Sequence, residues 1–218
     1  MTQILKVTDS RPLETVVYEA QPDGHADVWL RQNQTETEDG YEADEIYLKV
    51  TASFVRKEEI EADAAWWFGK LKDETEEIYA DALSIQTVRS DKKAEVSGAC
   101  REAIHAGVDV TLESGETGHF SLEEADQINL HGKLMQLLCG AEELEYHQDG
   151  CPCRYYSAVD MQEIISRATA HVSYHTAYCN SLFTWISGLS RASEIEPVRY
   201  GDVIPEAYQS EVLRGYLA

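Results

Sequence analysis

Apolar and polar residues alternate along the first quarter of the chain, which is the pattern of half-buried β-strands. The clearest alternation is a series of three apolar side chains: Ile46, Leu48 and Val50. Upstream, residues 16–20 and 26–30 are apolar segments separated by a Gln-Pro-Asp-Gly turn sequence. We therefore predict a small antiparallel sheet within residues 1–54, in which the acidic segment 35–44 forms an exposed loop.

From Arg56 onward the apolar spacing changes to the helical period. The positions that share one helical face are Ile60, Ala64, Trp67 and Leu71. The aromatic cluster at residues 66–68 could in principle stack nucleic-acid bases, but so acidic a chain would repel a nucleic acid strand. We assign this cluster to the core or an interface, with one ring facing the sheet and the others covering its edge, and we expect residues 69–87 to be helical with a break.

The second half of the chain mixes helical and strand-like patterns. Ser90 is predicted to cap a helix that ends at Gly107. Residues 108–120 follow as a hairpin with a glycine-containing turn. Ser121 and Glu124 then form the pattern of a capping box that opens another helix. The further positions of that helix are Ala125, Ile128, Met135 and Leu138, with its end near Gly140.

The most regular helical pattern lies nearest the C terminus. A hairpin turn at residues 146–150 precedes a capping pattern over residues 157–160. After it, apolar or weakly polar residues keep the helical period for about seven turns: Ile164, Ile165, Ala168, Val172, His175, Cys179, Leu182, Ile186 and Leu189. We predict one long helix, broken by residues 200–205 and followed by a short helix over residues 207–217.

These patterns predict an α+β protein of two modules. Residues 1–75 form a small antiparallel β module with a helix, suited to docking. Residues 76–90 form a linker or helix break. Residues 91–218 form a mainly helical domain with short hairpins and one long helix.

Charge limits the classes of partner. The net charge of the 218-residue chain is -22, which disfavours direct contact with nucleic acid backbones and anionic lipid. It favours solubility at high copy number, while the alternative is a DNA mimic whose carboxylates imitate phosphates and occupy a DNA-binding enzyme. The chain has no apolar run long enough for a membrane span, and its start lacks the pattern of a signal peptide. The five cysteines are therefore expected to be reduced thiols in a cytosolic setting.

Candidate chemistry is sparse. Cys151 and Cys153, followed by His171 and His175, are residue types that bind zinc, but their spacing is wrong for a zinc finger. Cys179 and His175 lie four residues apart, yet a cysteine on a buried helical stripe is usually an apolar filler. We find no phosphate-binding glycine loop, nucleophile elbow or metalloprotease motif. We therefore predict no enzyme activity, no catalytic residues, no cofactor and no metal.

A resemblance to a known family covers the chain from about Lys92 onward. It is carried by an ordered set of segments: Cys100 to Val110, Gly118 to Leu122, Asp126 to Leu130, Tyr146 to Gly150, Cys153 to Ser157, and Ala170 to Asn180 with Trp185-Ile186 beyond. In these segments the chain resembles the DUF4376 family of phage and prophage proteins, many of which also carry an N-terminal hairpin like residues 17–29. Ala125 and Cys151 depart from the family pattern.

The resemblance implies a role in a virion rather than an activity. Similar proteins come from phages and prophages of gut Firmicutes and are generally encoded near tail, tail-fibre or baseplate genes, and the family has no established catalytic residues. We therefore expect a homo-oligomeric structural component of a phage tail, baseplate or fibre attachment region, with other tail proteins as partners. It would reside in the host cytoplasm during assembly and then in the virion. The alternatives are an acidic inhibitor of a host DNA-handling enzyme and a tail assembly chaperone.

Overall fold

The computed structural model describes residues 3–73 and 80–218, and the predicted α+β class is confirmed. Met1 and Thr2, and residues 76–79 of the predicted linker, lie outside the described residues. The strands are β1 (Ile4–Asp9), β2 (Val16–Ala20), β3 (His25–Thr37), β4 (Gly40–Thr51), β5 (Val108–Thr111), β6 (Thr117–Phe120), β7 (Glu143–Tyr146) and β8 (Arg154–Ser157). The helices are α1 (Lys57–Ala62), α2 (Ala64–Asp73), α3 (Ile85–His105), α4 (Glu124–Leu138), α5 (Ala158–Gly188), α6 (Ala192–Ile195) and α7 (Glu211–Leu217), with 3-10 turns at Ala80–Leu83 and Glu206–Tyr208.

The chain packs as two compact units. The first unit comprises Met1–Lys93 together with Ile186–Val198, and the second comprises Ala94–Trp185 together with Arg199–Ala218. Residues 186–198 thus belong to the same unit as the N-terminal sheet, although the sequence prediction assigned them to the C-terminal domain. Among the described residues, no helix combines the length and the apolar character that a membrane crossing requires.

The first unit is built on a four-stranded antiparallel sheet in the order β1-β4-β3-β2. The predicted alternation in β4 is confirmed, since Ile46, Leu48 and Val50 are buried while Tyr47 is 48% exposed. Helix α2 packs on the buried face, where Trp67 is fully buried and its neighbours Phe68 and Trp66 pack in or against the same core. The aromatic cluster therefore belongs to the core, as predicted.

The prediction of an exposed loop over residues 35–44 is wrong. Strands β3 and β4 continue through this segment and meet at a tight turn, with Thr37 paired to Gly40. Gly40 has a φ of +137°, and a Cβ there would lie 2.3 Å from the carbonyl oxygen of Asp9, so only glycine fits. Two of the acidic residues are paired within the sheet, since Lys6 on β1 contacts Glu42 at 3.1 Å and Asp44 at 2.9 Å.

Residues 186–198, the second segment of the first unit, are joined to the rest of that unit by hydrogen bonds that involve side chains. The carboxylate of Asp63 accepts a hydrogen bond from the backbone N–H of Ser193 at 2.8 Å. The carboxylate of Glu196 accepts one from the indole of Trp66 at 2.9 Å. Arg89 donates to the carbonyl oxygens of Ile186 and Leu189. These bonds attach the end of α5 and the segment after it to the junction between α1 and α2, to α2 and to the first part of α3.

The second unit contains two hairpins and the helices α4 and α5. Strands β5 and β6 pair antiparallel, as do β7 and β8, which confirms both predicted hairpins. The largest fully buried side chains of its core are Phe120, Leu122, Leu144, Met161 and Ile164. Helix α5 extends over 31 residues, and Ser157 accepts the N–H of Asp160 at 3.1 Å, so the long helix and its capping pattern are confirmed.

Two predicted helix starts are displaced from the observed ones. Helix α3 begins at Ile85, not after Ser90, because the hydroxyl of Ser84 accepts the N–H of Thr87 at 3.2 Å and thereby caps an earlier turn. Helix α4 has Glu123, not Ser121, as its N-cap residue, and Glu123 forms the capping box with Asp126. In both segments several residues could cap, and side-chain contacts select one of them.

Candidate functional site

The structure does not assemble the predicted zinc ligands. Cys151 and Cys153 are exposed in the loop between β7 and β8, whereas His171 and His175 lie along α5. The described residues contain no group of three or more His, Cys, Asp or Glu side chains placed to hold a metal ion. The proposed absence of metal stays a prediction, but these four residues do not form one site.

The two histidines of α5 are engaged with protein groups. Nε2 of His171 lies 2.9 Å from the carbonyl oxygen of Ala103 and therefore donates to it. Nδ1 of His175 lies 2.5 Å from the hydroxyl of Tyr200. Burial, together with the nearby His171, holds the pKa of His175 below its ordinary value, which favours the neutral ring.

Cys100 and Cys179 lie in the same buried cluster. The thiol of Cys100 donates to the carbonyl oxygen of His175 at 3.4 Å. Burial raises the pKa of Cys179 to about 12, so its thiolate is strongly disfavoured. The interpretation of Cys179 as an apolar filler fits this setting better than a nucleophile does. The sequence signal for His175 and Cys179 was their spacing of four, whereas their partners Cys100 and Tyr200 are distant in sequence and were missed.

A second polar cluster joins the two hairpins. The ring of His119 lies between the carboxylate of Asp109, at 2.7 Å from Nδ1, and the carbonyl oxygen of Ala106, at 2.7 Å from Nε2. The bond to Asp109 raises the pKa of His119 above its ordinary value. The nearby hydroxyl of Ser121 lies 3.0 Å from the carboxylate of Asp149. Histidine, serine and aspartate are present, but both ring nitrogens already have acceptors, so the cluster holds the hairpins in place.

The exposed side of α4 carries large apolar residues. Ile128 is 72% exposed, Met135 50% and Leu138 72%. The opposite side is the one that packs, because Leu130 is buried and Leu134 and Leu137 are half-buried against the core. The helix is therefore apolar on two sides, and the predicted positions 128, 135 and 138 are those that face outward.

A groove lies between α4 and α5 within the second unit. Its volume is about 200 Å³, and its apolar lining includes Leu122, Leu130, Leu134, Ile165, Ala168 and Val172. The polar residues at the groove are Gln127, His131, Thr169 and Ser173. None of the described residues that line it carries a carboxylate, an ammonium or a guanidinium group. In a chain of net charge -22 this is an unusually uncharged concave surface.

The outward face of the N-terminal sheet is only partly apolar. The rings of Trp29 and Tyr47 lie side by side across β3 and β4, with centroids 5.6 Å apart. Two of the carboxylates near them are paired, since Glu45 contacts Arg31 at 2.7 Å and Asp23 contacts Lys49 at 3.2 Å. This face combines an aromatic pair with ion pairs, unlike the uncharged groove.

Comparisons with protein-family models, with curated proteins and with solved structures found no match to the chain. The resemblance to the DUF4376 family therefore stays a prediction. The same holds for the virion role, the homo-oligomer and the lack of enzyme activity that accompany it.

Proposed function

We propose that this protein is a non-enzymatic structural component of a tailed phage or phage-tail-like particle, acting in the tail, baseplate or fibre attachment region. The observation that carries the proposal is the row of exposed apolar side chains on α4, Ile128, Met135 and Leu138. Grouped apolar residues on an otherwise charged surface are typical of sites that bind another protein. A subunit of a large assembly needs such a surface and needs no reaction centre.

The chemistry of the buried groups supports the same proposal. The side chains that sequence reasoning nominated for catalysis or metal binding are engaged with protein groups or lie in separate segments. His171 and His175 each have a hydrogen-bond partner, and burial opposes ionisation of Cys179. A structural role uses these groups only for packing and hydrogen bonding, which is how they are arranged.

The main rival is an acidic inhibitor that imitates DNA. Such a protein needs a continuous stripe of unpaired carboxylates at phosphate-like spacing. On the N-terminal sheet, Glu42 and Asp44 share Lys6, and Glu45 is paired with Arg31. These pairings interrupt such a stripe on the sheet and favour the structural role over the inhibitor.

Mass spectrometry of density-purified particles from a producing culture tests the proposal. The expected result is that the chain is present at a fixed ratio to the major tail proteins, and that ratio gives its copy number in the symmetric assembly. Absence from particles combined with abundance in the lysate would overturn the proposal. It would direct the search to an assembly chaperone or a host-enzyme inhibitor, by pull-down.

A pair of surface variants links incorporation to α4. Met135→Glu places a charge in the middle of the exposed apolar row and is expected to reduce incorporation into particles. Val203→Glu adds the same charge at a side chain that is 90% exposed in the C-terminal segment, and it is expected to leave incorporation unchanged. Equal incorporation of both variants would separate α4 from the assembly role.

A further inference from the structure

The apolar row on α4 and the groove between α4 and α5 form one surface. His131 lines the groove, and on the same side of the helix Ile128 precedes it by three positions and Met135 follows it by four. Residues three and four apart on a helix are neighbours. We call this surface, from Ile128 and Leu138 across the groove to Thr169 and Ser173, the α4–α5 surface.

The α5 side of this surface has small residues. Thr169 is exposed there, Ser173 lies half-buried at the groove, and Ala168 is buried in its lining. Small side chains allow the backbone of another helix to approach closely. The groove of about 200 Å³ has room for one or two large apolar side chains. A groove that is flanked by an apolar row on one side and small residues on the other is the form that binds an amphipathic helix.

Acidic residues lie at both ends of α4. Glu123 and Glu124 are exposed at its start, and Glu142 and Glu143 are exposed just beyond its end. The one lysine of the helix, Lys133, is engaged by Glu145 at 2.6 Å and is largely covered. The surface therefore has an uncharged apolar centre between two negatively charged ends.

This charge pattern argues against a second copy as the occupant. In a symmetric pairing of two α4 helices, Glu123 and Glu124 of one copy would lie near either the same residues or Glu142 and Glu143 of the other. Either arrangement brings like charges together, and close like charges oppose association. A partner with positive charge at the corresponding places avoids this repulsion and gains attraction.

We propose that the α4–α5 surface binds an amphipathic helix of another protein, with apolar residues on one face and lysine or arginine at both ends. The 15-residue helix α4 is about 22 Å long, so the bound helix needs roughly 15 to 18 residues to reach both acidic ends. This inference rests on the proposed function, because it names the kind of partner that such an assembly subunit would bind through α4. A helix with acidic ends is disfavoured by the same electrostatic argument.

Three labelled synthetic peptides of 18 residues serve as probes in fluorescence anisotropy with the full chain. The first has leucines three and four residues apart on one face and Lys/Arg at both ends. The second has the same composition with its leucines redistributed around the helix, and the third has Glu in place of the terminal Lys/Arg. We expect the first peptide to bind at least about tenfold more tightly than either of the others.

Salt separates the two contributions to binding. At ~0.3 M salt the higher affinity of the first peptide relative to the acidic-ended peptide is expected to shrink, because exposed charges are screened. The advantage over the redistributed peptide is expected to persist, because it comes from apolar burial. Equal affinity for the first and the redistributed peptide would overturn the proposal, since it would reveal non-specific attraction to an acidic protein.

Variants assign the binding to the surface. Ile128→Glu and Met135→Glu are expected to weaken binding of the first peptide about tenfold or more. Val212→Glu introduces the same charge on α7 at a side chain that is 59% exposed, and is expected to bind as the parent does. Unchanged affinity in the two α4 variants, with circular dichroism matching that of the parent, would place the peptide elsewhere and overturn the proposal.

Sedimentation equilibrium tests whether a second copy of the chain occupies the surface instead. A dimer that Met135→Glu dissociates would show that a second copy occupies the surface, and it would overturn the basic-helix proposal without affecting the virion role. Conversely, specific peptide binding by a chain that is absent from purified particles would sustain this inference as a binding property. That result would overturn the proposed virion role alone.

Discussion

The buried side of α5 and the exposed side of α4 contrast in the chemistry that they carry. The α5 side holds the residue types associated with reactivity, His171, His175 and Cys179, and each is half-buried or buried. The α4 side holds Ile128, Met135 and Leu138, residue types associated with a core, and each is exposed. Both regions belong to the second unit, whose core is otherwise apolar, so each is an exception to the usual placement of polar and apolar groups.

The contrast shows where function is to be sought in this fold. Buried polar groups are tolerated when each finds a partner, and His171 and His175 do so with Ala103 and Tyr200. Exposed apolar groups have no such internal compensation, so they remain available to another molecule.

Thiol reactivity separates exposed from buried cysteines most strongly. Cys139, Cys151 and Cys153 are exposed, while Cys100 and Cys179 are buried, and burial also raises the pKa of Cys179. In the folded protein we expect the three exposed thiols to react quickly with a maleimide. The two buried thiols should react at least roughly a thousandfold more slowly, because they need an opening of the structure. Mass spectrometry after timed quenching measures this, and rapid labelling of Cys179 would contradict the described burial.

The two sides of α4 differ in their contribution to folding. Leu130→Ala removes a buried side chain and is expected to lower the free energy of unfolding by about 2–5 kcal/mol. Leu138→Ala, on the exposed side of the same helix, is expected to change it by less than about 0.5 kcal/mol. Urea unfolding monitored by circular dichroism compares them. Similar losses for both variants would mean that the exposed row contributes to the core.

Removing the hydrogen bond between Tyr200 and His175 is expected to have a smaller effect on the free energy of unfolding. Tyr200→Phe leaves Nδ1 of His175 without its partner and should lower the free energy of unfolding by about 1–2 kcal/mol. Tyr155→Phe, at a ring that is 72% exposed, provides the matched control and should have almost no effect. If the two variants unfold at the same urea concentration, the His175 cluster is not held by this bond.

The two histidine environments are expected to affect pH dependence in opposite directions. The pKa of His119 is raised by Asp109, so its contribution to stability is present below pH 6.5 and is lost as the pH rises through the raised value. The pKa of His175 is lowered by burial, so its contribution is present above pH 6.5 and is lost as the pH falls through the lowered value. Titration of the ring signals by NMR should give His119 the higher pKa, and Asp109→Asn should reduce the difference.

An inverted order of the two values would contradict both assigned environments. Because the side chain of His119 is 45% exposed, its effect on stability is expected to be small at physiological ionic strength. The NMR titration rather than the unfolding curve is therefore the decisive measurement for this pair.

Segments with strong local signals were predicted well. The hairpin at residues 16–30, the two short hairpins and helix α5 all have turn residues or a long period that does not depend on distant partners. The prediction failed at residues 35–44, where acidity suggested a loop. There β4 pairs with β1 as well as with β3, and Lys6 on β1 contacts Glu42 and Asp44; the local pattern includes neither contact.

The candidate site was less predictable than the fold. Spacing correctly put His175 and Cys179 on the packed side of one helix, but it could not reveal Tyr200, which meets His175 only through the fold. The groove between α4 and α5 combines residues about forty positions apart in sequence. Periodicity relates neighbours within a helix, and it carries no information on which helices pack together.

The sequence by itself determined the α+β class, the main hairpins, the long helix and the acidic character of the chain, because each follows from local composition or period. Tertiary structure alone decided which side of α4 faces outward. That helix has apolar residues on both sides, and packing against the core buries Leu130 and leaves Ile128 exposed. The free energy of burial depends on what a face packs against, and that partner comes from elsewhere in the chain.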